Sequence, residues 1–127
     1  MIVVDASAAL SALLNGGQAR ALVRRQQLHV PHLADTEIAS GLRRLVLARE
    51  LESAQAWSAL DTWRRLGVLR HPTTGLLERI WQLRDNLSAY DASYVALAEA
   101  LGCGVVTADA RLSRAAGPRC PITVVPA

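Results

Sequence analysis

Short apolar runs alternate with longer amphipathic stretches along most of the chain. The runs Ile2–Val4 and Val105–Thr107 have the length and the β-branched composition of buried strands. Leu28–Val30, Val68–Arg70 and Ile122–Val125 predict three more strands, and Pro31 should end the first of these because proline has no N–H to donate. Strands that alternate with helices predict a three-layer α/β domain, with a mainly parallel central sheet of four to five strands flanked by helices.

Six segments between these runs have leucine, alanine or tryptophan recurring at helical spacing, bounded by glycine, proline or capping residues. They are Ala6–Leu14, Gln18–Gln27, Asp35–Arg49, Glu52–Leu66, Gly75–Asn86 and the stretch from Ser88 to Leu101. In the last of these, Ser88 is a predicted N-cap whose partner three residues on is Asp91, and Gly102 ends the helix.

Length and composition limit the classes of function. The 127 residues suit a single domain, 1–127, with no linker or repeat, and the net charge is +3. All 14 basic residues are arginine. The absence of lysine excludes P-loop and Schiff-base chemistry, receiver domains and haloacid-dehalogenase-like phosphatases. No apolar run reaches membrane-spanning length and no leader pattern is present, so we expect a cytoplasmic protein.

Four acidic residues fall where an α/β fold places its sites. Asp5 follows the first strand and Asp109 follows Val105–Thr107, and sites form beyond the carboxyl ends of parallel strands. Asp91 lies in a helical first turn, and Glu37 lies near the start of another helix. Singly, each could be a cap or a solvated first-turn acid. Together they predict one carboxylate cluster that a hard ion, Mg²⁺ or Mn²⁺, neutralises.

Two hydroxyl residues and two arginines could support such a cluster. The hydroxyls of Ser7 and Thr107 could hold the carboxylates or their waters, or bond only to local backbone. Arg43 and Arg44 follow Glu37 by about two turns and could contact a phosphate, or could form a solvated face.

The histidines and cysteines have no metal-ligand spacing. His29, His32 and His71 are predicted to be surface or loop residues. The tryptophans repeat with leucines and are predicted to form core or protein contacts; they are Trp57, Trp63 and Trp81. Cys103 and Cys120 are predicted to be free thiols, and a disulfide stays open because each precedes a predicted strand.

Four segments give the chain its resemblance to a known family. They are VVDASAAL at 3–10, PHLADTEIASGLRR at 31–44, LRDNLSAYDASYVALAEALG at 83–102 and VVTADARL at 105–112. In this order they resemble PIN-domain proteins of the VapC type, the toxins of type II toxin–antitoxin pairs. The first segment is weakly specific, whereas the last two joined are strongly specific.

The resemblance implies an activity, a cofactor and partners. Asp5, Glu37, Asp91 and Asp109 match the family's acidic quartet, and Thr107 matches its hydroxyl. Family members are Mg²⁺- or Mn²⁺-dependent ribonucleases that commonly dimerise and are inhibited by a VapB-type antitoxin. The expected function is hydrolysis of RNA by a metal-activated water, with Asp5 and Asp91 as principal ligands and the base unassigned.

Two alternatives stay open at this point. A catalytically silent PIN-like module would bind RNA or protein with the same fold, although intact acids argue against it. A DNA nuclease of the flap-endonuclease group would share the acids, but this chain lacks extra helices to hold a duplex. One departure from the family is Ser40-Gly41, because Gly41 weakens its helix by up to about 1 kcal/mol and puts the placement of Glu37 in doubt.

Overall fold

The computed structural model describes residues 1–127 and contains one five-stranded sheet. Its strands are β1 (Ile2–Val4), β2 (Leu28–Pro31), β3 (Leu69–His71), β4 (Val105–Thr107) and β5 (Ile122–Val124). The strand order is β3-β2-β1-β4-β5, and every neighbouring pair is parallel. The predicted three-layer α/β architecture with a mainly parallel sheet is therefore confirmed.

Seven helices flank this sheet. They are α1 (Ala6–Leu14), α2 (Gln18–Arg25), α3 (Leu33–Leu47), α4 (Ser53–Arg65), α5 (Leu77–Gln82), α6 (Ala89–Leu101) and α7 (Ala110–Arg114). The helix predicted over Gly75–Asn86 was too long, because a 3₁₀ turn over Thr74–Leu76 precedes α5 and the chain leaves the helix after Gln82. None of the seven is both long and apolar enough to cross a bilayer.

The strand order reverses direction between β1 and β4. The chain steps from β1 to β2 to β3 on one side of β1, and then places β4 on its other side. Helix α1 packs with α2, α3 and α4, while α6 packs with α5 and on β1, β2 and β4. A reversal of this kind opens a crevice beyond the carboxyl ends of the two strands. Asp5 and Asp109 follow those two strand ends.

The core fixes the helix that contributes Asp91. All residues from 92 to 98 in α6 are buried, and so are Val3, Val4 and Val105 in the adjoining strands. A helix packed this closely cannot rotate without opening cavities. The start of α6, and with it Asp91, is consequently held at the edge of the sheet.

Two histidines occupy the sheet, so their prediction as surface or loop residues was wrong. His29 is 6% exposed within β2, and its Nδ1 lies 2.8 Å from Nε2 of the half-buried His71 in β3. Pro31 also lies within β2, where it is in register with His71. Strand β3 therefore begins and ends one residue later than predicted. The prediction failed because the pairing of these two histidines depends on the β2–β3 register, which a single sequence does not specify. His32 is exposed, as predicted.

The tryptophans divide into two environments. Trp63 is 1% exposed and belongs to the core, whereas Trp57 and Trp81 are 56% and 68% exposed. An arginine guanidinium lies over the ring of each exposed tryptophan. The core alternative is confirmed for Trp63. Trp57 and Trp81 lie outside the core, and protein contact by these two stays a prediction.

The two thiols are free in the structure. Cys103 and Cys120 precede the neighbouring strands β4 and β5, and they line one hollow of about 550 Å³.

Candidate active site

The four acids singled out from the sequence line one cleft of about 460 Å³ at the carboxyl edge of the sheet. They are Asp5, Glu37, Asp91 and Asp109, contributed by the end of β1, α3, α6 and the end of β4. Arg44 is the single basic side chain in the lining, and Arg43 lies outside it. Four carboxylates against one guanidinium give the cleft a negative charge.

Asp5 is the most firmly held of the four acids. It is 6% exposed and is the N-cap of α1, where its Oδ1 accepts hydrogen bonds from the Ala8 N–H at 2.9 Å and from Ser7 Oγ at 2.7 Å. Its Oδ2 accepts a 2.5 Å hydrogen bond from Thr107 Oγ1. A carboxylate offers about four lone pairs, so three donors leave Asp5 able to bind one more partner.

Ser7 and Thr107 connect the Asp5 carboxylate to the backbone at the end of β4. Ser7 Oγ accepts from the Ala108 N–H at 2.9 Å, and Thr107 Oγ1 accepts from the Asp109 N–H at 3.0 Å. Each hydroxyl therefore donates to Asp5 and accepts from an amide. This arrangement fixes where Asp5 lies relative to Asp109.

Asp91 and Asp109 are placed by local helix capping. Ser88 is the N-cap of α6 and accepts from the Asp91 N–H at 3.1 Å, while Asp109 is itself the N-cap of α7. Asp109 Oδ1 accepts from the Arg111 N–H at 3.0 Å, and the Arg111 guanidinium bonds to the same carboxylate. The capping interpretation of these acids and their place in the cleft are thus compatible.

Glu37 is held from the opposite side of the cleft by a residue that the sequence analysis assigned only to the core. Tyr94 is 1% exposed, yet its hydroxyl donates a 2.6 Å hydrogen bond to Glu37 Oε1. Its position three residues after Asp91 on α6 was the one available signal, because side chains at this spacing share a helix face.

Gly41, the departure that put Glu37 in doubt, serves close packing. A Cβ at this position would lie 2.5 Å from Leu10 Cδ1, so the side chain of Leu10 fills space that glycine leaves free. Glu37, one turn earlier on α3, lines the cleft together with Asp5.

The pKa values of the four acids reflect their burial and their closeness to one another. Burial raises the pKa of Asp5, Glu37 and Asp91 above the ordinary carboxyl range. The charges of neighbouring acids add to the rise in each pKa: Asp109 acts on Asp5, Asp91 and Asp5 act on Glu37, and Asp5 and Asp109 act on Asp91. The pKa of Asp109 is lowered instead, because Arg111 bonds to its carboxylate. Mutual repulsion of this kind favours a cation between the acids.

These residues fit a hydrated divalent cation. No group of three or more His, Cys, Asp or Glu side chains is close enough to ligate one ion directly. Mg²⁺ usually keeps several waters and binds one or two carboxylates. A cleft of about 460 Å³ has room for such an ion with its waters, since one water takes about 30 Å³.

Comparison with known proteins places this geometry in a family. Residues 2–118 match the PIN domain family. The chain is 68% identical over 126 residues to Ribonuclease VapC9 of Mycobacterium tuberculosis, covering 99% of each protein. The crystal structure of PAE2754 from Pyrobaculum aerophilum matches with a TM-score of 0.71 and 26% identity, over 97% of this chain and 83% of that one.

A second crystal structure supports the fold. VapC20 of Mycobacterium tuberculosis, described as a Sarcin-Ricin loop cleaving toxin, matches with a TM-score of 0.64 and 20% identity, over 90% of this chain and 94% of that one. The full-length similarity and the matched family agree with the resemblance found in the sequence. The chain is a member of the PIN-domain family, in the group of the VapC ribonucleases.

Proposed function

We propose that this protein is a Mg²⁺-dependent endoribonuclease, with Mn²⁺ as a possible substitute, and that it acts in the cytoplasm as the toxin of a VapBC-type pair. The observation that carries the proposal is the cleft that four carboxylates line, three of which have a pKa raised by burial and by the charges of neighbouring acids. The 68% identity to a protein named Ribonuclease VapC9 supports RNA as the substrate.

Asp5 and Asp91 are the proposed principal ligands, and Asp109 and Glu37 ligate directly or through water. Because no three acidic side chains converge closely enough to ligate one ion directly, contact through water is the arrangement that we favour for Asp109 and Glu37. The bound ion would orient and acidify a water and neutralise the charge that builds on the phosphate.

The chain's own residues would position the reaction and accept a proton. Ser7 and Thr107 hold the Asp5 carboxylate, and Tyr94 holds one oxygen of Glu37. A water oxygen would attack the phosphorus and one P–O bond of the RNA strand would break. An acid of the cleft would take the water's proton, and the departing oxygen would take a proton from solvent. Glu37 suits this last role because burial raises its pKa towards the working pH.

Contacts to RNA would come from the rim of the cleft. Arg44 lines it and can reach a phosphate, whereas Arg43 is exposed outside the lining and has a weaker case. Tyr90 is 63% exposed beside the acids and offers a ring on which an unpaired base can stack. We therefore propose a single-stranded or looped substrate, since the major groove of an A-form helix is too narrow to read.

A cognate VapB-type antitoxin and a second copy of the chain are the proposed protein partners. The negative lining of the cleft is complementary to a basic segment of an inhibitor. Exposed apolar side chains on the helices offer surface for association, among them Leu47, Leu77 and Trp81.

Cleavage of purified RNA by the full chain tests the proposal. We expect cleavage with Mg²⁺ or Mn²⁺, none with EDTA, and none by the Asp5→Asn variant, whose fold is checked by circular dichroism. EDTA-resistant cleavage, or full activity of Asp5→Asn, would refute the metal mechanism. Coexpression with the upstream reading frame tests the antitoxin, and light scattering tests the dimer.

The same protein and its Asp5→Asn variant distinguish the proposed function from two alternatives. A silent binding module would bind RNA without cutting it, and growth arrest on expression would persist in Asp5→Asn. A DNA nuclease of the flap-endonuclease group would cut branched DNA in preference to single-stranded RNA. The four acids in one cleft argue against the first alternative.

A further inference from the structure

The guanidinium of Arg111 pairs with Asp109, one of the four acids that line the cleft. Its Nη2 lies 2.9 Å from Asp109 Oδ2 and its Nε lies 3.1 Å from Asp109 Oδ1, so one guanidinium engages both carboxylate oxygens. Two-point pairing of this kind gives a guanidinium defined geometry on a carboxylate. An ion that binds Asp109 would have to displace Arg111 or share the carboxylate with it.

The Arg111 side chain is free to leave. It is 84% exposed, and the Asp109 side chain is 35% exposed. Exposed ion pairs contribute little to stability, because water screens the attraction and the pair loses side-chain freedom. The α7 cap would survive the movement, since it uses the backbone N–H of Arg111 and not its guanidinium.

A second hollow, which Arg111 already lines, adjoins the main cleft. This hollow has a volume of about 260 Å³ and shares Asp91 and Asp109 with the main cleft, while Arg111 and Ser88 line only the hollow. Arg44 lines only the main cleft. An RNA strand whose cut phosphate lies at the acids would thus meet one arginine on each side.

We propose that Arg111 is a built-in substitute cation, which holds Asp109 until a divalent ion binds there and then contacts the RNA phosphate next to the one that is cut. This inference rests on the proposed function. It assigns one side chain two successive partners, a carboxylate in the metal-free protein and a phosphate in the loaded complex. Removal of the side chain should consequently affect the two binding events in opposite directions.

The test compares the wild-type chain with Arg111→Ala and a matched control, Arg64→Ala. Arg64 pairs with Asp61 at 2.7 Å on α4, is exposed like Arg111, and lines neither hollow. Mn²⁺ affinity is measured by calorimetry without RNA. Affinity for a single-stranded RNA oligonucleotide is measured by fluorescence anisotropy over a salt series, with Ca²⁺ under conditions where no cleavage is detected.

For Arg111→Ala we expect roughly two- to fivefold tighter Mn²⁺ binding, because the competing cation is gone. We expect weaker RNA binding, with the slope of log affinity against log salt reduced by about 0.7, as for one lost phosphate contact on a single strand. Arg64→Ala should match the wild type in both measurements. Wild-type affinity for either Mn²⁺ or RNA in Arg111→Ala would overturn the inference.

Failure of this inference is distinguishable from failure of the proposed function. If the wild-type chain binds no Mn²⁺ and cuts no RNA, the proposed function fails and the inference fails with it. If the wild type binds Mn²⁺ and cuts RNA while Arg111→Ala does not differ from it, only the role of Arg111 is refuted.

Discussion

The hydroxyl of Tyr94 donates a 2.6 Å hydrogen bond to Glu37 Oε1, although 57 residues separate the two in sequence. This bond connects α6 to α3 beside the acids of the cleft. Tyr94 is otherwise a core residue, at 1% exposure. One buried side chain therefore contributes to the packing of α6 and to the position of a candidate catalytic acid.

Replacement of Tyr94 by phenylalanine should lower activity with little effect on the fold. The ring stays in the core, and loss of one hydrogen bond costs about 1 kcal/mol of unfolding free energy. Glu37 loses a donor that favours its ionised form, so its pKa should rise further and the acid limb of the rate profile should move to higher pH. We expect kcat to fall roughly tenfold with KM unchanged, less than the roughly 100-fold or greater loss expected when a whole acid–base group is removed, because Glu37 itself remains.

The control for this prediction is Tyr90→Phe. Tyr90 lines the same cleft but its hydroxyl makes no hydrogen bond within the protein, so its pH profile should match that of the wild type. Identical profiles for Tyr94→Phe and the wild type would show that Glu37 does not depend on Tyr94.

We expect the contribution of Thr107 to metal binding to depend on its hydroxyl and not on the volume of its side chain. Thr107→Val keeps the shape of this buried side chain, but it removes the donor to Asp5 and the acceptor of the Asp109 N–H. We expect Mn²⁺ affinity to fall about 10- to 100-fold, as when other residues that orient metal ligands are replaced. Thr107→Ser keeps the hydroxyl and should retain most of the affinity. Equal calorimetric affinities for the valine and serine variants would contradict this role.

The metal-free stability of Asp5→Asn relative to the wild type should depend on pH. Burial raises the folded-state pKa of Asp5, so the ionised carboxylate destabilises the wild type at neutral pH, and protonation removes this cost as the pH falls. Asparagine is uncharged and is a good N-cap. The variant's advantage in unfolding free energy should be largest near pH 7. It should shrink as the pH falls through the raised folded-state pKa of Asp5 towards the ordinary aspartate value of about 4, below which Asp5 is protonated in both states.

Urea unfolding in EDTA across this range measures the difference. The comparison of two proteins is needed because the pKa of buried His29 is lowered, so its protonation destabilises the fold as the pH falls and opposes the effect of Asp5. His29 is present in both proteins and cancels in the difference. An advantage for the variant that grows as the pH falls would contradict the account.

The two cysteines should react as independent thiols. Both are half-buried, and burial raises the pKa of each thiol, which slows attack on disulfides and alkylating reagents at neutral pH. Unfolded, non-reduced protein should therefore take up two alkyl groups by mass spectrometry. A mass two hydrogens lower with no uptake would establish a Cys103–Cys120 disulfide across the neighbouring strands.

The parts of the site that follow strand ends could be predicted from sequence. Asp5 comes directly after a short β-branched run and Asp109 comes two residues after another, and parallel topology brings such positions to one edge. Asp91 was predictable from its place three residues after a helix cap. These signals are local, and the α/β pattern supplies the long-range arrangement.

Other features depended on packing that no local pattern specifies. Tyr94 has the spacing of a core residue, and the periodicity does not say that its hydroxyl reaches Glu37. Gly41 was expected to weaken α3, but its missing side chain leaves the space that Leu10 occupies. The pairing of His29 with His71 requires the β2–β3 register, and the role proposed for Arg111 requires knowledge of which oxygens it occupies.

Thermal unfolding of the wild type and Asp91→Asn, each with EDTA and with saturating Mn²⁺, tests most directly whether the acids form one ion-dependent site. In EDTA the variant should melt at the same temperature as the wild type or higher, because repulsion among the acids is relieved. With Mn²⁺ at about 100 times its Kd, the wild type should gain roughly 2.7 kcal/mol of stability and the variant much less. Equal gains in both proteins, or no gain in the wild type, would contradict the account.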